Sequence, residues 1–319
     1  MCLYPKLIKN RKYTKTKKNK GVIPQVKDQR ALWVPVGCGN CIECRKQKAR
    51  EWQVRLHEEI RERNDGRFVT LSFSDESLTE LEGTIKGLSG YNLDNEIATK
   101  AIRRFLERWR KKYKKSVRHW LVTELGQNNT ERIHIHGLLF TDCDTETIEK
   151  LWKYGNVWIG DYVNERTINY IVKYISKTDE KHPNYKSKIC TSAGIGKAYM
   201  KRRDCRNNEY VEKATREYYK TRSGIKLSLP IYYRNNIYTE EEREKLWLEK
   251  LDKEERYVLG QKVSVKDGKD EDYYKLLEVA RMKNRELGYG DNEVNWEKRR
   301  YENNRRDMLK KVRKRGNKE

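Results

Sequence analysis

The chain has 319 residues, with 72 Lys and Arg against 48 Asp and Glu for a formal net charge of +24, and only 36% of it is hydrophobic. No stretch approaches the roughly 18 uninterrupted apolar residues of a membrane-spanning helix, and the N-terminal segment lacks the apolar core of a secretory signal, so no membrane partner is expected. The 21 Tyr and 8 Trp supply anchors that disordered chains lack, which points to a folded intracellular protein.

In chain order, three regions are expected: 1–66, 67–238 and 239–319. The first opens with a basic arm. Residues 1–50 hold 14 Lys and Arg and 2 Asp and Glu, with Lys15, Lys17, Lys18 and Lys20 almost consecutive. Such a surplus is neutralised most often by nucleic acid, although a solvated arm without a defined target has the same composition. Cys38, Cys41 and Cys44 form a C-x-x-C-x-x-C run, and Cys2 is an available fourth thiol. A structural Zn²⁺, unliganded reduced thiols and an iron–sulfur cluster are all compatible with that spacing. A helix is expected from about Ile42 to Arg63, where Trp52, Leu56 and Ile60 recur every fourth position, ending at Asn64-Asp65-Gly66.

The second region alternates strand and helix signals. RFVTLSFS reads as a strand with Phe68, Thr70 and Ser72 on one face. A long amphipathic helix follows, with Asp94 as its cap and Ile102, Phe105, Leu106, Trp109 and Tyr113 as its buried stripe. Arg103, Arg104, Arg108 and Arg110 are expected to face water or phosphate. HWLVTEL and RIHIHGLLF then form a hairpin across GQNNTE. A helix from about Thr145, a strand near Asn156 to Ile159 and a helix from about Thr167 to Lys177 complete the region.

Two patterns here carry chemistry. In a strand, His134 and His136 project to one face while Ile135 enters the other. If the hairpin loop is centred on Asn129, Glu124 lies directly opposite His134, within reach of a shared ion. Two imidazoles and one carboxylate suit Mg²⁺, Mn²⁺ or a transition metal. A pair of half-exposed strand histidines without metal gives the same short motif.

In TINYIVKYISK, Ile168, Ile171, Val172 and Ile175 make a core stripe, which leaves Tyr170, Lys173, Tyr174 and Lys177 together on the polar side. A phenol is a weak nucleophile because its pKa lies near 10; neighbouring lysines favour the phenolate, and a metal polarises the phosphate it attacks. Tyrosines that merely cover apolar surface fit the same spacing.

With these motifs in order, the chain resembles the HUH-family rolling-circle replication initiators of Microviridae phages, the gokushovirus type in particular. The resemblance rests on Cys38-Gly-Asn-Cys41-Ile-Glu-Cys44, Phe68 to Phe73, Thr123-Glu124-Leu125-Gly126, His134 to Phe140, and Tyr170-x-x-x-Tyr174 with Lys177. It spans about residues 38–178 and extends weakly through Gly194-Ile-Gly196 and Leu229 to Tyr233. The resemblance implies an α+β fold with a central five-stranded antiparallel sheet flanked by helices. It implies His134, His136 and Glu124 as ligands of Mg²⁺ or Mn²⁺, Tyr170 and Tyr174 as nucleophiles, and Lys173 and Lys177 as supporting charges. Single-stranded origin DNA, the host replication machinery and the bacterial host cytoplasm follow as expected partners and setting. An HUH transposase or relaxase, or a non-catalytic nucleic-acid-binding protein, shares much of this pattern.

The third region is harder to read. LSLPIYYRNNIY looks extended; from Thr239, with Glu242 three residues on, charged helices are expected, ending in a basic tail around Arg305 to Arg315. Gly194-Ile-Gly196-Lys197 lacks the spacing of a phosphate-wrapping loop, so no nucleotide hydrolysis is expected.

Overall fold

The computed structural model describes residues 1–17, 19–126, 131–160, 162–178, 182, 185–266 and 270–291. Lys18, the tip of the central hairpin and the basic tail lie outside the described residues. Two compact units are present: Met1–Val54 with residues 198–291, and Arg55–Lys197.

The chain begins in the first unit. Strand β1 (Lys6–Lys9) pairs antiparallel with β2 (Trp33–Val36), and helix α1 (Ile42–Glu62) follows, with the division between units falling after its Val54. The second unit then runs β3 (Gly66–Leu71), α2 (Asp75–Gly83), α3 (Gly90–Tyr113), β4 (Arg118–Leu125), β5 (Ile133–Phe140), α4 (Thr145–Trp152), β6 (Val157–Gly160), α5 (Glu165–Ile171), α6 (Lys173–Ser176) and β7 (Ile189–Thr191). Its five strands form one antiparallel sheet in the order β6-β3-β5-β4-β7. The unit is therefore α+β, with a five-stranded antiparallel sheet flanked by helices.

The two faces of this sheet differ because the strands alternate. On one face, Val69, Leu71, Leu121, Leu125, Ile133, Ile135 and Leu139 join Ile97, Ile102, Phe105 and Trp109 of α3 and Trp152 of α4 in a single core. Each such side chain fully buried contributes about 1.5–3 kcal/mol. The opposite face carries His134 and His136, half-buried between buried Ile133, Ile135 and Gly137.

Helix α3 starts about one turn earlier than a cap at Asp94 implies. Ser89 occupies the N-cap position, and Lys114, in the left-handed conformation at φ 57°, ends the helix. Arg108 does not face water. Its guanidinium donates to the carbonyls of Leu151 and Trp152, both at 2.6 Å, and so caps the C-terminus of α4. The helix expected over Thr167–Lys177 is two short ones with a turn at Val172; the β-branched pair Ile171-Val172 is a weak helix former. Asn164 caps the first of them in a reciprocal pair with Thr167.

The first unit resumes with β8 (Tyr218–Lys220) and β9 (Lys226–Ser228), which pair with each other, followed by α7 (Ile231–Ile237) and α8 (Glu240–Asp252). LSLPIYYRNNIY is thus extended only before Pro230; beyond it the segment turns helical and buries Tyr233 against Tyr199. Its aromatic and β-branched residues mimic a strand in composition. Thr239 and Glu242 do form a reciprocal cap on α8. A hairpin of β10 (Glu255–Val258) and β11 (Gln261–Ser264) interrupts the charged helices before α9 (Glu271–Glu286). Among the described residues no helix is long and apolar enough to cross a membrane.

Gly137 sits in central strand β5 opposite Leu121. A Cβ there would meet the Trp120 carbonyl oxygen at 2.3 Å and Leu121 Cδ2 at 2.6 Å. Gly137→Ala is expected to destabilise the protein by about 1–3 kcal/mol or more through overpacking, read as a lower urea midpoint. An unchanged midpoint would mean that β4 and β5 are not paired as described.

Candidate active site

The site grows from one pairing. Strands β4 and β5 are in antiparallel register with Glu124 opposite His134 and Val122 opposite His136, the pairing expected from a loop centred on Asn129. On the other side of β5, Thr70 of β3 is opposite His136. Glu124, His136 and Thr70 therefore share one sheet face on three adjacent strands.

Hydrogen bonds fix the rings. His136 Nε2 lies 2.9 Å from Glu124 Oε2, and His136 Nδ1 lies 3.1 Å from the Thr70 hydroxyl. The direct strand partner of Glu124 is His134, yet the carboxylate meets His136 on the diagonal. His134 Nδ1 is 2.9 Å from the Arg132 carbonyl oxygen. A carbonyl only accepts, so Nδ1 carries the proton and Nε2 keeps its lone pair. Burial pushes the His134 pKa below its ordinary 6.5 and keeps the ring neutral. Gly126 permits this placement: a Cβ there would crowd His134 Cε1 at 3.2 Å.

Lys177, just beyond α6, donates to Glu124 Oε1 at 2.9 Å. Burial works to raise the Glu124 pKa, but the hydrogen bonds from His136 and Lys177 outweigh it and hold the carboxyl below its usual range. The tyrosines stand over the same group. The Tyr174 ring stacks on His136 with centroids 4.3 Å apart and planes inclined by 6°. The Tyr174 hydroxyl donates to the Tyr170 oxygen at 2.9 Å. Burial, the Tyr170 hydroxyl and the charge of Glu124 push the Tyr174 phenol well above its ordinary value of 10. Tyr170 is 52% exposed and packs edge-on against Phe68. The structure thus brings together His136, Glu124, Tyr170, Tyr174 and Lys177, with His134 beside them. Lys173 is exposed and, among the described residues, is not joined to this network.

Beside the tyrosines lies an open cleft of about 960 Å³ lined by Phe68, Thr70, His136, Trp158, Tyr162 and Arg166 among others. Trp158 is 59% and Tyr162 72% exposed, so two aromatic side chains are accessible for stacking along one wall. Sequence reasoning did not assign Thr70, Phe68, Gly126 or Trp158 to the site. Thr70 and Phe68 share a strand face, but their position beside β5 depends on which strands pair, and the single sequence carries no signal for it.

The donor set fits a divalent cation. Both imidazoles have Nδ1 engaged by a fixed partner, which directs Nε2 to the ligand side. The Thr70 hydroxyl can donate to or accept from His136 Nδ1, so it serves the ring whether Nε2 holds a proton, as against Glu124 here, or a metal. The donor atoms do not yet converge on one point, since His134 is tied to the Arg132 carbonyl. Among the described residues, the group whose donor atoms all lie within 4.8 Å is instead Cys2, Cys38, Cys41 and Cys44, in the other unit.

An α+β unit with an antiparallel sheet presenting two histidines, a carboxylate and two stacked phenols is the part of the chain with known counterparts. Residues 66–179, from β3 past α6, match the replication-associated protein family of the ORF2 type. The chain is also similar to replication-associated protein VP4 of Bdellovibrio phage phiMH2K, at 27% identity over 157 residues that cover 44% of this chain and 47% of that protein. The chain therefore spans about half the length of this relative. No solved structure matches it.

Because Glu124 titrates below 4.5, its ionised form is favoured by folding; that stabilisation is present above about pH 4.5 and is lost as pH falls through the lower folded value. Lys177→Met is expected to move the Glu124 titration upward in metal-free protein, measured on its carboxyl carbon by NMR. A downward or absent shift would contradict the described ion pair.

Proposed function

We propose that the protein is a replication initiator of the HUH type, which nicks and rejoins single-stranded DNA at an origin through a 5′-phosphotyrosine link during rolling-circle replication. The observation that carries this reading is the stacking of Tyr174 on His136, with the Tyr170 oxygen a hydrogen bond further on. Two candidate nucleophiles next to candidate metal ligands, in a unit similar to replication-associated proteins, fit strand transfer better than simple DNA binding.

In this reading His134, His136 and Glu124 would hold Mg²⁺ or Mn²⁺, which when bound supplies charge neutralisation and orientation for the scissile phosphate. The chain's own residues do the rest. Single-stranded DNA enters the cleft, with Trp158 and Tyr162 stacking on bases and the basic side chains holding phosphates. Tyr170 attacks first, because its oxygen is the more exposed and already accepts the Tyr174 proton. The new bond joins Tyr170 Oη to phosphorus, the bond from phosphorus to the 3′ oxygen breaks, and the phenolic proton ends on the departing 3′ hydroxyl. Lys177 stands close enough to the carboxylate and phenols to offset developing negative charge.

The phosphodiester energy stays in the phosphotyrosine link, so rejoining needs no ATP. The freed 3′ hydroxyl primes a host polymerase, and Tyr174 serves as second nucleophile once the origin is regenerated. The setting that follows is the cytoplasm of a bacterial host.

Incubation with a labelled origin oligonucleotide and Mn²⁺ is expected to give a covalent protein–DNA adduct that Tyr170→Phe reduces and Tyr170→Phe with Tyr174→Phe abolishes. Binding without adduct under every divalent metal would leave a non-catalytic DNA-binding protein. An adduct that forms on transposon-end or plasmid-transfer DNA and not on a phage origin would favour a transposase or relaxase.

A further inference from the structure

The four-cysteine group in the unit without the tyrosines is not used by the chemistry above. Cys2 comes from the extreme N-terminus, Cys38 and Cys41 from the loop after β2, and Cys44 from the first turn of α1. Their sulfurs all lie within 4.8 Å of one another, and Cys38–Cys44 and Cys2–Cys41 are each separated by 3.9 Å. A disulfide requires about 2.05 Å between sulfurs. A tetrahedron with metal–sulfur bonds of about 2.3 Å has edges of about 3.8 Å, close to the spacing seen. A four-iron cluster puts each thiolate on a different iron and spreads the sulfurs further apart.

The backbone around the sulfurs is arranged for thiolates. The N–H groups of Tyr4 and Cys38 donate to Cys2 Sγ at 3.3 and 3.2 Å, those of Asn40 and Cys41 to Cys38 Sγ at 3.4 and 3.2 Å, and that of Leu3 to Cys41 Sγ at 3.5 Å. A neutral thiol is a weak acceptor, whereas a thiolate gains from each of these bonds. Gly39, at φ +77°, supplies the left-handed residue that turns the chain between Cys38 and Cys41. Gly37 passes so near the group that a Cβ would meet Cys44 Sγ at 3.0 Å. Arg45, buried beside the group, and the N-terminus of α1 offset negative charge on the sulfurs.

We propose that Cys2, Cys38, Cys41 and Cys44 bind one Zn²⁺ in a closed, all-thiolate site that fastens the N-terminus to the start of α1. Four protein ligands leave no position for water or substrate, so the metal is structural. The fastened segment is also the floor of a small core: Leu3, Tyr4, Cys41 and Ile42 pack with Val258 and with Leu277 and Ala280 of α9. Arg281 donates to the Leu3 carbonyl at 3.0 Å, and buried Asn284 accepts from the Ile42 N–H at 2.8 Å. Metal binding and the folding of this core are therefore coupled.

The test uses the full chain produced in zinc-supplemented medium. Elemental analysis after gel filtration is expected to find about one zinc per chain, unchanged in Cys143→Ser, Cys205→Ser and His134→Ala with His136→Ala. Cys44→Ser is expected to lose most of the zinc and to expose the first residues to protease. Because that variant can fail to fold, the wild-type protein is also grown with Co²⁺. X-ray absorption should give four sulfurs at about 2.3 Å, and the spectrum the intense thiolate-to-cobalt bands of tetrahedral coordination. Folded wild-type protein that lacks metal and is alkylated at all four thiols would overturn the proposal. So would an iron cluster, or a metal shell dominated by nitrogen and oxygen.

Discussion

The pairing of β4 with β5 determines where every candidate catalytic group of this protein stands. Side chains in a strand alternate, so a slip of one residue would send Glu124 into the apolar core and leave His134 and His136 without a carboxylate. The core holds the register: Leu121, Leu125, Ile133, Ile135 and Leu139 all point to α3, and none could be turned outward without losing its burial. Gly137 adds a steric lock, since only a residue without Cβ fits against the Trp120 carbonyl. The same apolar pattern that stabilises the sheet therefore aims the polar face.

That polar face is bound together by a short chain of contacts. Thr70, His136, Glu124 and Lys177 are linked in sequence by hydrogen bonds, and the Tyr174 ring closes over His136. Charges alternate along it, so a carboxylate stays ionised in a half-buried site and a lysine is held beside the phenols. The unit is similar to replication-associated proteins over just this stretch. The remainder of the chain, including the cysteine group and the helices from Thr239, lies outside that match and carries its own architecture.

Much of this was readable in the residues alone. The hairpin register follows from loop symmetry, and the placement of Tyr170 and Tyr174 on the polar side of a short helix follows from the isoleucine stripe, which survives the turn at Val172 because the i, i+4 spacing is kept. Three things were not readable. Arg108 looks solvated by helical spacing, yet it caps α4, a contact set by how two helices pack. Ile231–Ile237 has the composition of a strand, but Pro230 and the burial of Tyr233 make it a helix. Thr70 reaches His136 only because β3 is the neighbour of β5, and strand order is a property of the whole chain.

The central claim is that the His136–Glu124 contact and the adjacent His134 make a site for one divalent ion on the tyrosine side of the sheet. Electron spin-echo spectroscopy of the protein with one equivalent of Mn²⁺ tests it directly. The expected result is coupling to two imidazole nitrogens, reduced to one in either single histidine variant and weakened in binding by Glu124→Ala. Manganese bound with no imidazole coupling, or coupled to nitrogens that persist when both His134 and His136 are replaced, would contradict it.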